Sequence, residues 1–198
     1  MKKSRFFAGL FVLLSIAFLG CGMILQPTPS PSAEATVALG ELRMATGYSF
    51  RAPLGYEVNM HDDAIVEIAY KTNAVVIMLA GLIANTQNRS AEGAAHYFLE
   101  ILFTGTNGNY EKGPPRTIII GGVEGTVYDI DGTMNGTPVR GQAVVVMPND
   151  KEYLFSLAVA NTNQDKKSWE NEGSRVFKAV IDSITFWTAV PTSESGDS

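Results

Sequence analysis

Between residues 117 and 160 the chain carries four β-forming runs separated by short turn signals. Thr117-Ile118-Ile119-Ile120 meets Gly121-Gly122, and Val123 to Ile130 leads back from it. Asn135-Gly136 reverses the chain into Val139 to Met147, and Pro148-Asn149-Asp150 reverses it again into Tyr153 to Ala160. Gly-Gly and Asn-Gly accept positive φ at both central positions of a tight hairpin, which the twist of paired strands demands. Parallel pairing needs a crossover of a dozen or more residues, and there is no room for one. The segment predicts an antiparallel meander against which the rest of the folded part must pack.

Upstream, Ala64 to Tyr70 alternates in hydropathy and Ala74 to Ile83 is a nearly continuous Val/Ile/Met/Leu run, so the two read as paired strands with Lys71-Thr72-Asn73 as their turn. Tyr48-Ser49-Phe50, followed by the turn formers Pro53-Leu54-Gly55, reads as a short edge strand. Ser90 is placed to cap a helix over Ala91 to Phe103, with Glu92 in its first turn. Ala91, Ala94, Ala95, Phe98, Ile101 and Leu102 recur at helical spacing, and Leu99 and Phe103 widen the stripe, to be covered by a broad sheet, a second element or a partner. Gly105 to Pro115 reads as a loop. A last helix opens near Ser168 and aligns Trp169, Val176, Phe177, Val180, Ile181 and Ile184. Strands, helix, four strands, helix: the order predicts an α+β fold, a central antiparallel β-sheet covered by helices.

The two ends of this region carry a further signal. Gly47-Tyr48-Ser49-Phe50-Arg51-Ala52-Pro53-Leu54-Gly55-Tyr56 and Phe177-Lys178-Ala179-Val180-Ile181-Asp182-Ser183-Ile184-Thr185-Phe186 resemble the opening and closing motifs of PsbP-like domains, known from extrinsic subunits of photosystem II and from bacterial lipoproteins. The resemblance covers residues 47–187. It implies an α/β/α sandwich without enzymatic activity; it does not imply photosynthesis, because a fold serves unrelated partners, and no cofactor is expected.

Ahead of that region lies an address. Lys2, Lys3 and Arg5 precede the apolar run Phe6 to Leu19, the n- and h-regions of an export signal. Phe18-Leu19-Gly20 then meets Cys21, the only cysteine, in an arrangement resembling the lipobox of bacterial lipoproteins, whose cysteine is acylated. Phe6 to Leu25 is also long enough, at about 1.5 Å per residue, to span a hydrocarbon core of about 30 Å as an uncleaved anchor. Cleavage after Ala33-Glu34-Ala35 is a third possibility. Residues 1–21 are thus read as a lipoprotein signal peptide or membrane anchor that leaves the domain facing outward, 22–46 as a Pro/Ser/Thr-rich linker, 47–187 as the globular domain and 188–198 as a disordered acidic tail. With Lys2, Lys3 and Arg5 removed from 15 basic residues, 12 remain against 20 acidic ones, a net of −8. That balance argues against nucleic acid as a partner.

Few residues invite chemistry. Asp129 and Asp131 lie two apart on a strand and share a face, near Asn135-Gly136, but without the spacing of a calcium loop. His61-Asp62-Asp63 offers metal-ligating side chains, and some members of the family it resembles bind metal through His and Asp, but only a single histidine sits here and it is not matched to a family ligand position, so a polar turn is the simpler reading. His96 reads as a surface residue on the first helix. No Gly-x-Ser-x-Gly elbow is present, and a single cysteine forms no intramolecular disulfide. The expected function is a non-catalytic envelope protein that binds a protein or ligand. The contrasting one is a divalent-metal carrier or metal-dependent enzyme using His61, Asp62 and Asp63 or Asp129 and Asp131.

Overall fold

The computed structural model describes residues 36–61, 65–70, 75–163 and 165–187. The predicted meander is its frame. Arg116–Ile120 (β7), Val123–Met134 (β8), Thr137–Asn149 (β9) and Glu152–Asn161 (β10) pair in succession, all antiparallel. Gly121, Gly122, Asn135 and Gly136 take positive φ, as the two tight hairpins require. The sheet continues past β10 into Val75–Ala84 (β5), Ile65–Tyr70 (β4) and Tyr56–His61 (β3), and ends at the other side with Asn109–Lys112 (β6) on β8. Eight strands result, every pair antiparallel.

One face is covered by helix α1, Ala91–Gly105, whose N-cap Ser90 hydroxyl accepts from the Gly93 amide at 3.2 Å. Phe98 stacks on Phe155, ring centroids 4.8 Å apart, and meets Tyr153 edge-on. Leu99 and Phe103 are buried with the predicted stripe, so the sheet itself covers them, whereas Ile101 is half-buried. The other face is covered by a π-helical turn, Trp169–Gly173, running into helix α2, Ser174–Asp182, and by a small sheet ordered β1-β2-β11 from Leu39–Ala45, Tyr48–Pro53 and Thr185–Phe186. Tyr48, Phe50, Leu154, Phe177, Val180 and Ile184 share that second core. The protein is therefore a mostly antiparallel α+β sandwich with helices on both faces.

Three expectations are corrected. Tyr48–Phe50 lies in the middle strand of the small sheet, since β2 is flanked by β1 and β11; those neighbours come from segments that carry no strand alternation of their own. The stretch 22–46 assigned to the linker includes β1, because Leu39–Ala45 finds its hydrogen-bond partners on β2. The loop Gly105 to Pro115 contains β6, held by pairing with the far end of the long strand β8. Strand β3, mostly exposed, had no sequence signal beyond Tyr56 and Val58. The 71–73 turn, the segment 1–21 with Cys21, and the tail 188–198 lie outside the described residues.

Candidate functional site: a polar cleft beside the second hairpin

The two-residue turn at Asn135-Gly136 sets the register of its arms. Met134 faces Thr137, Asp131 faces Arg140 and Asp129 faces Gln142. Val127 and Val144, paired on the same side of these strands, belong to the core under the small sheet. Toward the hairpin that cover ends, and the same face becomes polar. Asp129 and Asp131 indeed share it.

Both carboxylates already have cations. Asp129 Oδ1 accepts from Arg116 Nη2 at 2.6 Å and from Gln142 Nε2 at 2.8 Å. Asp131 Oδ1 accepts from Arg140 Nε at 2.7 Å. Arg140 then reaches off the sheet: its Nη1 donates to Glu170 Oε1, on the π-helical turn, at 2.6 Å. The two hydrogen bonds, to Asp131 and to Glu170, push the guanidinium pKa up, and the bond from Arg140 holds the Glu170 carboxyl below the usual range. A second tie of the same kind runs from Tyr56 Oη to Glu172 Oε1 at 3.0 Å. The turn carrying both glutamates is thereby fixed on the sheet at two points.

An open cleft of about 820 Å³ lies between hairpin and turn, lined among others by Asp131, Arg140, Asn163, Lys166, Lys167 and Glu170. Lys166 and Lys167 are exposed, and among the described residues neither has a carboxylate within ion-pair distance. Thr162 is the hydroxyl of the lining, and its Oγ1 donates to the Pro138 carbonyl at 3.2 Å, so no base polarises it. The arrangement offers fixed charges and hydrogen-bonding groups, with no nucleophile next to a base.

The other sequence candidates lie elsewhere. His61 ends β3 with its Nε2 buried and without a hydrogen-bond partner among the described residues, while Asp62 and Asp63 lie outside them. Glu67, on the same sheet face as His61, is pushed up by burial. His96 Nδ1 and Tyr110 Oη are 3.1 Å apart on the exposed side of α1. Among the described residues no three His, Cys, Asp or Glu side chains gather into a metal-binding group. Nor, among them, is any helix long and apolar enough to cross a membrane; the Phe6 to Leu25 run is not included in that statement.

Arg116, Arg140, Gln142, Lys166, Lys167 and Glu170 were not singled out from the sequence. A signal existed for two of them: a two-residue turn at 135–136 pairs residues whose numbers sum to 271, which places Arg140 opposite Asp131 and Gln142 opposite Asp129. Glu170 arrives through tertiary packing and had none.

No family model matches the chain, and no curated protein matches it significantly. Solved structures do. Cyanobacterial PsbP (CyanoP) from Synechocystis sp. PCC 6803 superposes with a TM-score of 0.56 at 14% identity, covering 82% of this chain and 100% of the other. The Ran-binding protein Mog1p of Saccharomyces cerevisiae gives 0.54 at 12% identity, covering 76% and 96%. At such identities the likeness is one of fold, and the fold is the PsbP-like one that the motifs at residues 47–56 and 177–186 implied.

Proposed function

We propose that this PsbP-fold domain is a non-catalytic binding module that takes a protein partner at the polar cleft, and that a lipid on Cys21 holds it on the outer side of a cell membrane. The carrying observation is the pair of ties from Arg140 to Asp131 and Glu170, which builds a rigid, charged wall with nothing reactive on it. Catalysis needs a group that changes its protonation or bonding during the reaction; here Asp131, Arg140 and Glu170 are tied to one another and the lining hydroxyl is committed to a carbonyl. An open, mixed-charge surface suits a macromolecular partner better than a small molecule, which calls for an enclosed and mostly apolar pocket. Lys166 and Lys167 add uncompensated positive charge on a chain that is acidic overall, so the partner surface is expected to present carboxylates. That Mog1p is a Ran-binding protein supports a protein-binding use of this fold.

The test is positional. A photo-crosslinking residue at Asn163, in the cleft, is expected to give one discrete protein adduct in the native cells, and the same residue at Glu100, on the opposite layer, is expected to give none. Equal adducts from both positions contradict the assignment of the cleft. The anchor is tested separately: labelled fatty acid is expected on the wild type and absent from Cys21→Ala, and a Cys21→Ala protein that stays with the membrane and was never labelled removes the lipid from the account.

A further inference from the structure

We infer that the free edge of β1 is a homodimer interface, in which Leu39–Ala45 of one copy pairs antiparallel with the same strand of a second copy about a two-fold axis through Leu42. Among the described residues β1 pairs only with β2, so it closes the small sheet on one side with an unpaired ladder.

Which groups that edge presents follows from its neighbour. On β2, the Arg51 amide donates to Ser183 Oγ at 2.8 Å, and the Gly47 carbonyl accepts from Trp187 N at 3.0 Å, both on the β11 side. Backbone groups alternate sides along a strand, so Gly47, Ser49 and Arg51 point to β11, while Tyr48 and Phe50 point to β1. Leu42 faces Arg51 and Met44 faces Ser49 across the β1–β2 ladder. The N–H and C=O of Leu42 and Met44 are therefore directed outward. The pairs at Leu42, Arg43, Met44 and Ala45 fix this parity; the register irregularity falls at Gly40 and Glu41, so the dimer ladder requires that stretch to straighten as the second strand adds.

Charge then selects the register. An antiparallel pair centred on Leu42 sets Glu41 of each copy opposite Arg43 of the other, giving two complementary pairs on one face of the joined sheet. Moving the centre one residue along, to Arg43, sets the two arginines against each other. Centring on Met44 carries Glu41 past the end of the partner strand. Opposite charges across a ladder favour a register and like charges disfavour it. On the other face the chosen register brings both copies of Leu42 and Met44 together, and these side chains are 50% and 53% exposed here, among the most exposed large apolar residues of the domain. Backbone donors, charge and apolar surface thus agree on one occupant, a second copy of this chain.

The test is a charge swap on the full chain in detergent micelles, read by sedimentation across a range of protein concentration. The wild type is expected to dimerise. Glu41→Arg and Arg43→Glu each place like charges across the two-fold axis twice, and each is expected to weaken the dimer by about tenfold. The double variant Glu41→Arg, Arg43→Glu restores opposite pairs and is expected to restore the dimer. Leu42→Pro removes the central donor, which no bond among the described residues uses, and is expected to abolish dimerisation with the circular dichroism unchanged. A wild type that is monomeric at the highest concentration overturns the inference, as does a dimer that survives the single charge variants and Leu42→Pro. Because the cleft lies elsewhere, loss of this dimer leaves the Asn163 crosslink in place.

Discussion

Arg140 on β9 and Glu170 on the π-helical turn, thirty residues apart in sequence and both lining the polar cleft, are joined by a 2.6 Å hydrogen bond. Both side chains are close to half exposed, so the pair is screened by solvent and salt. Arg140→Ala is expected to lower stability by at most about 1 kcal/mol while loosening the turn that forms the far wall. Chemical denaturation should therefore show a small loss for a variant whose partner adduct is strongly reduced. A large loss of stability would instead make Arg140 a structural linchpin.

Two carboxylates give pH dependences of opposite sign. Glu170 is held below its ordinary value of 4.5 by Arg140; such a group adds stability above that value and loses it as pH falls through the lowered one. Glu67 is raised above 4.5 by burial, with the charge of His61 opposing; folding favours its acid form, and stability is lost as pH rises from 4.5 through the raised value. Melting temperature against pH should show the acid-side decline reduced in Glu170→Gln, and the decline just above 4.5 reduced in Glu67→Gln. Identical profiles for wild type and variants contradict both assignments.

The middle of β9 tolerates no side chain at Gly141. A Cβ there would collide with the Ala158 carbonyl on β10, a backbone atom that cannot swing away. Gly141→Ala is expected to cost at least about 2 kcal/mol as an overpacked site, measured by denaturant midpoint. Gly122→Ala, with open space around its Cβ position and strain only from its positive φ, should cost less.

Within the core under the small sheet, the Tyr48 hydroxyl and the Ser156 hydroxyl are buried without hydrogen-bond partners among the described residues. Deleting an unsatisfied buried hydroxyl removes its desolvation cost, so Tyr48→Phe is expected to stabilise by about 1 kcal/mol. Ser156→Ala is expected to be neutral or stabilising. A clear loss in either variant would show that the hydroxyl is bonded to an internal water.

What the sequence made legible follows from locality. The meander could be read because Gly121-Gly122 and Asn135-Gly136 fix hairpins within a few residues of the strands they join, and the helices because Ser90 and the Trp169 to Ile184 stripe are local patterns. The small sheet could not: β1 and β11 carry exposed or very short segments whose strand character exists only through β2. The cleft divides in the same way. Asp129 and Asp131 were visible as a pair, and hairpin arithmetic would have supplied Arg140 and Gln142, but Glu170 and Tyr56 meet their partners through packing of a π-helical turn that no periodicity announces.

The most direct measurement of the central claim is the adduct formed from a photo-crosslinker at Asn163 in native cells, compared between the wild type and a Lys166→Glu, Lys167→Glu variant. A partner presenting carboxylates to the cleft predicts one discrete adduct in the wild type and its loss on charge reversal, with the fold unchanged. An adduct of the same size and yield in the reversed variant would contradict the account.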